Sequence, residues 1–108
     1  MQAVIKGAMG VVLAWRVTSL PVLADGDIAQ GQAKSASCAA CHGATGKATN
    51  TLYPNIGGQN AAYLALALNA YKSGGRTGGQ AGVMHAFTAG LSEQDINDLA
   101  AFYSSQKP

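Results

Sequence analysis

The sequence predicts a small all-α domain of three main helices joined by two glycine-rich loops. Apolar residues recur at helical spacing in two segments, Tyr63, Leu64, Ala67, Leu68 and Tyr71 in one and Ile96, Leu99, Ala100 and Tyr103 in the other. The stretches Gly43 to Gln59 and Gly74 to Gly90 are rich in glycine, and neither shows the apolar–polar alternation of a strand. A length of 108 residues allows one small domain and no more.

Taken in order, residues 1–24 read as a signal peptide. Lys6 supplies a positive start, Gly7 to Trp15 a short apolar run, and Val22-Leu23-Ala24 the small residues at which a signal peptidase cuts. Arg16 interrupts the apolar run, and no segment reaches the ~20 apolar residues of a membrane span. The expectation is cleavage after Ala24, with a retained N-terminal anchor or a misplaced start codon as the alternatives. The domain is then residues 25–108. Its Lys34, Lys47, Lys72, Arg76 and Lys107 balance Asp25, Asp27, Glu93, Asp95 and Asp98, so the formal +2 of the whole chain belongs to Lys6 and Arg16. A nucleic-acid partner, which would need a basic stripe, is excluded.

The first helix is expected from about Asp27 towards Cys41, with Asp25 or Asp27 as cap and Ala29, Ala33, Ala36 and Ala40 as favourable residues. The second spans about Asn60 to Ser73 and ends at Gly74-Gly75. The third begins after Ser92, where Asp95 stands three residues on in capping-box spacing. Glu93, Asp95 and Asp98 read as capping and solvating charges. Long loops in so small a domain make sense if they wrap a large buried object.

Cys38-Ala39-Ala40-Cys41-His42 supplies that object, because C-x-x-C-H is the attachment signature of c-type haem. Two intervening residues let the thiols reach neighbouring vinyl groups, each forming a thioether. The adjacent histidine then falls beneath the iron as an axial ligand. A thioredoxin-like dithiol would need a βαβ context, and a structural zinc site would need four ligands. A disulfide between residues three apart would stabilise little.

For the opposite face of the iron, Met1 and Met9 lie in the leader, leaving Met84, in a flexible glycine-rich loop ahead of the last helix. Its neighbour His85 and an open or tyrosine-ligated iron are the alternatives, and a core-filling methionine is the unexceptional one. Arg76 could bind a haem propionate, or be merely solvated. Tyr53 and Tyr71 are better read as packing residues than as propionate partners.

Over residues 25–108 the chain resembles the class I c-type cytochromes. Within them it is similar to a single domain of the bacterial dihaem cytochromes of the c-four type and their short monohaem relatives. The resemblance rests on the C-x-x-C-H run, on Gly31 seven residues before Cys38, on Phe102-Tyr103, and on the Tyr53-Pro54-Asn55-Ile56-Gly57-Gly58-Gln59 loop. It also rests on Met84 standing seven residues before Leu91-Ser92, although Met84-His85-Ala86-Phe87 lacks the prolines often found there. It implies the small cytochrome c fold, with Gly31 and the aromatic pair at the crossing of the first and last helices. It implies that the Pro54 carbonyl accepts a hydrogen bond from the His42 imidazole and tunes its basicity.

With His42 and Met84 both on iron, no position is left for a substrate, and the expected role is one-electron transfer in a respiratory or photosynthetic chain. The methionine donor and burial should both raise the potential. The expected setting is the bacterial periplasm, and the protein would be a monomer carrying one covalent haem c. Its partners would be a membrane cytochrome complex, an oxidase or a periplasmic dehydrogenase, docking briefly through an apolar surface around the haem edge. The alternatives are a haem subunit of a periplasmic dehydrogenase, and a haem sensor or peroxidase with a labile methionine.

Overall fold

The protein is described by a computed structural model over residues 26–108; the expected leader and its cleavage site lie outside these residues. Asp27 caps the first helix, its side chain accepting from the Gln30 N–H, and α1 runs Ile28–Lys34. The continuous helix expected from Asp27 towards Cys41 is in fact broken at Ser35. The Ser35 backbone N–H and hydroxyl both donate to the Gln32 carbonyl, at 3.2 and 2.7 Å. This tight turn ends α1, and α2 restarts as Ala36–His42. The break frees the helix carrying the cysteines from the axis that α1 takes against the last helix.

Residues 43–60 form a loop held by backbone bonds. The Gly46 carbonyl accepts from Ile56 and Gly57, at 2.8 and 2.9 Å, and the Gly58 N–H donates to the Tyr103 carbonyl at 2.9 Å. Gly46 has φ +79°, and a Cβ there would lie 2.5 Å from the Gly57 nitrogen, so the loop can fold back only on glycine. Asn60 caps α3, Ala61–Ser73, whose last turn closes on Gly74 in the left-handed region.

Beyond Gly74 the structure departs from the expected loop. Ala81–Thr88 is a helix, α4, and Met84 sits inside it rather than in a flexible segment. Eight residues do not sustain a helix alone in water. α4 forms because it packs on α3, where the His85 Nδ1–H donates to the Tyr71 carbonyl at 2.7 Å. The last helix, α5, runs Glu93–Ser105 and begins with the expected capping box of Ser92 and Asp95. The architecture is thus all-α, with five helices and no strand among the described residues. None of these helices is long and apolar enough to cross a membrane.

The core is built where α1 and α3 pack on α5, around Leu64, Ala65, Ile96, Leu99, Ala100, Phe102 and Tyr103. Gly31 makes the α1–α5 crossing possible. A Cβ at this position would stand 2.0 Å from the Asp98 carbonyl oxygen and 2.6 Å from the Phe102 Cβ. Asp98 is not the solvated charge that the sequence suggested, being only 1% exposed. Its carboxylate accepts from the Asp27 N–H at 2.8 Å, from the Gln94 amide at 2.8 Å and from the Lys34 ammonium at 2.6 Å. Lys34 also pairs with Asp95 at 2.8 Å. A carboxylate taken out of water is tolerated when its lone pairs are used in this way.

Two predictions follow from the crossing. Gly31→Ala should lower stability by about 2–3 kcal/mol, read as a reduced urea midpoint, because backbone atoms must move to admit the methyl group. The second concerns acid. The Asp27 N–H, then Lys34, holds the Asp98 carboxyl below the ordinary carboxylate range, and the Lys34 bond draws Asp95 down to about 2. The folded chain therefore binds fewer protons than the unfolded one. The stability these groups give is complete above an unfolded value of about 3.8 and is lost as pH falls towards about 2. Asp98→Asn should flatten that part of a pH–stability curve and lower the plateau above it.

Candidate cofactor site

α2 places Cys38, Cys41 and His42 at i, i+3 and i+4, on one face of one helix. That face forms part of the wall of a cavity of about 600 Å³, within the range of roughly 300–1,000 Å³ usual for cofactor sites. His42 is only 8% exposed. Its Nδ1–H donates to the Pro54 carbonyl at 2.9 Å, which fixes the tautomer and leaves Nε2 with its lone pair free. Both thiols are free. Burial pushes the Cys38 thiol above its ordinary value, so it is held as a neutral S–H rather than as a thiolate.

The other walls come from α3, through Leu64, Leu68 and Tyr71, and from α4, through Ala81, Met84 and Phe87. Met84 and Ala81 share a helix face three residues apart, and the Met84 carbonyl accepts from the Thr88 hydroxyl at 2.8 Å. The helix thus gives the methionine a fixed backbone. His85 is not part of the cavity lining, and its ring is engaged with the Tyr71 carbonyl on α3. Arg76 reaches the cavity rim, its guanidinium 4.6 Å from the centre of the Tyr71 ring.

Cys38, Cys41, His42, Pro54, Arg76 and Met84, drawn from four separate segments, therefore line one cavity, as do Tyr53 and Tyr71. The setting of a thioredoxin-like dithiol is missing, since no strand precedes α2 among the described residues. Nor do three or more His, Cys, Asp or Glu side chains converge to hold a metal ion by themselves among those residues. Sequence reasoning placed Tyr103 only at the helix crossing. It also lines the cavity, beside Cys38, and its buried hydroxyl has no hydrogen-bond partner. Burial moves that hydroxyl above its ordinary pKa, so it stays protonated. Nothing local in the sequence marks this use of Tyr103.

Two thiols and an imidazole on one helix face, a methionine in another wall and apolar packing between them suit a flat, largely apolar macrocycle with a metal at its centre. Family comparison agrees: residues 28–107 match the cytochrome c family model, and the chain belongs to the cytochrome c family. It accordingly carries covalent haem c, and these 108 residues contain one C-x-x-C-H run to attach it. It is 48% identical over 82 residues to cytochrome c-554(548) of Halomonas halodenitrificans, covering 76% of this chain and 99% of that one. It is 43% identical over 84 residues to cytochrome c4 of Pseudomonas aeruginosa, covering 78% of this chain and 40% of that one. The crystal structure of reduced recombinant cytochrome c4 from Pseudomonas stutzeri superposes with a TM-score of 0.67 at 39% identity. That match covers 76% of this chain and 46% of the other, so the chain spans about half the length of the cytochromes c4 it matches.

Proposed function

We propose that this chain is an exported, periplasmic carrier of single electrons whose haem iron is held by His42 on one face and Met84 on the other. Cys38 and Cys41 hold the porphyrin edge as thioethers. The observation that carries this reading is the position of Met84, in the wall of the cavity onto which the C-x-x-C-H face of α2 opens. It is the one methionine after the leader, while the competing His85 is tied to the Tyr71 carbonyl outside that lining. When bound, the haem supplies reversible gain and loss of one electron.

Each residue has a distinct task. The Pro54 carbonyl orients the His42 ring and raises the basicity of its free nitrogen. Met84 offers a soft sulfur donor, which favours the ferrous state and raises the potential relative to two histidines. With His42 and Met84 both holding the iron, no position would remain for a small-molecule substrate, which argues for a carrier over a peroxidase or sensor. Arg76 lines the cavity, and its guanidinium would suit a haem propionate.

The partners would be membrane cytochrome complexes, oxidases or periplasmic dehydrogenases, met briefly by a monomer. Leu52, Tyr63, Val83 and Phe87 both line the cavity and remain largely exposed, Leu52 at 75% and Phe87 at 51%. That apolar rim suits a small, transient redox interface. Lys34 is engaged by Asp95 and Asp98 and adds little to a long-range field.

Two measurements test these assignments. Met84→Ala should lose the weak far-red ferric absorption of sulfur ligation, show a lower potential and bind carbon monoxide readily when reduced. His85→Ala should leave all three unchanged, and the reverse pattern would transfer the ligand role to His85. Electron-transfer rates with a redox partner should change little with ionic strength, because apolar contact rather than charge guides the encounter. A steep fall with added salt would show a charged docking face instead.

A further inference from the structure

α4 carries Met84 on one stripe with Ala81 and Thr88, three residues before and four after it, and these two are the helix's buried residues. The two ends of α4 are held unequally. Ahead of Met84 stand Gly78 and Gly79, both with positive φ and with nothing within 4 Å of a Cβ placed there. Gln80 gives no side-chain cap, and its carbonyl is shared by the N–H groups of Val83 and Met84, at 3.1 and 3.3 Å. Behind Met84, Thr88 is 1% exposed and among the largest fully buried side chains of the described residues. Its carbonyl accepts from the Leu91 N–H at 3.0 Å, and Leu91 packs against the core. Its hydroxyl turns back along the helix and donates to the Met84 carbonyl at 2.8 Å, with the His85 carbonyl further off at 3.3 Å. Valine has nearly the same shape and no hydroxyl to take out of water, so burial alone would favour valine here. Thr88 does not line the cavity. Its hydroxyl reaches the site only through the backbone of Met84.

We propose that Thr88 is a positioning residue for Met84, its hydroxyl tying the methionine's backbone to the turn between α4 and α5 and so holding the sulfur in place for the iron. The inference rests on the reading of Met84 as the axial ligand opposite His42. A thioether is a soft donor that favours ferrous over ferric iron, so the ferric protein is where the tie matters most. There an added nitrogen base competes for the position that Met84 fills. A methionine whose backbone is already held loses less conformational entropy on binding than one on a loosely held helix, and it gives way less readily. Removing the hydroxyl leaves the N–H ladder of the helix in place and takes away this tie alone.

The test uses the full-chain holoprotein as wild type, Thr88→Val and Thr88→Ser. The ferric form of each would be titrated with imidazole while the far-red absorption of sulfur ligation is followed. Thr88→Val should bind imidazole roughly fivefold more tightly than wild type, the size of one lost hydrogen bond, with helix content unchanged. Thr88→Ser keeps the hydroxyl and should stay within about twofold of wild type. Valine behaving as wild type would overturn the proposal. So would serine shifting as far as valine, since packing rather than the hydroxyl would then be responsible. Should Thr88→Val fail to fold, Thr88→Ala takes its place beside Thr88→Ser, a pair that differs by the hydroxyl, and the same separation is expected. A wild type without the far-red absorption would overturn the Met84 ligand reading and this inference with it, whereas a wild type that shows it, with indifferent variants, overturns this inference alone.

Discussion

The crossing of α1 over α5 is the constraint on which the other parts of the molecule lean. At Gly31 the two backbones approach so closely that no Cβ fits between them and the Asp98 carbonyl. The same crossing buries the Asp98 side chain, which collects donors from Asp27, Gln94 and Lys34. A helix pair packed at backbone distance gains dispersion contacts along its length, and the satisfied carboxylate adds directionality that apolar contact lacks. Apolar packing sets how tightly the helices meet; the Asp98 network sets their register.

From that crossing the site is built outwards. α5 presents Leu99 and Tyr103 to the cavity on the side away from α1. The turn at Ser35 lets α2 leave the line of α1 and bring two thiols and an imidazole to the same cavity. The loop after α2 returns through Pro54, whose carbonyl meets the imidazole, and ends where Gly58 bonds to the Tyr103 carbonyl. α3 and α4 close the far walls and present Met84. The proposed ligand set is thus assembled from segments more than forty residues apart in sequence, each held by backbone or core contacts. On the proposed assignment, such prior order would favour electron transfer at the iron over binding of a further ligand.

The chemistry was far more legible in the linear chain than the architecture around it. Two cysteines and a histidine within five residues state their use locally, because the reach between two thiols and one imidazole is a matter of a single helical turn. The Ser92–Asp95 capping box, the Asn60 cap and the apolar repeat of α5 are equally local, being set by groups three or four residues apart. The Pro54 carbonyl and the glycine of the crossing could be read only by resemblance, since neither a carbonyl acceptor nor a backbone approach has a signature of its own. Of the charges of α5 only Asp98 misled, for it looks like the capping residues Glu93 and Asp95 until α1 is laid over it.

Spacing along the chain was enough to settle the cofactor and the all-α class and to nominate Cys38, Cys41 and His42 as the residues that hold it. Each depends on atoms that the covalent chain already keeps near one another. Folding in three dimensions decided that Met84 stands on a helix, that the first helix breaks at Ser35, that Asp98 is buried and that the Tyr103 hydroxyl is buried at the cavity wall. The physical reason is common to all four. An eight-residue helix, a bent serine turn, a buried carboxylate and a buried hydroxyl are each unfavourable in isolation. They become stable only through contacts with residues remote in sequence.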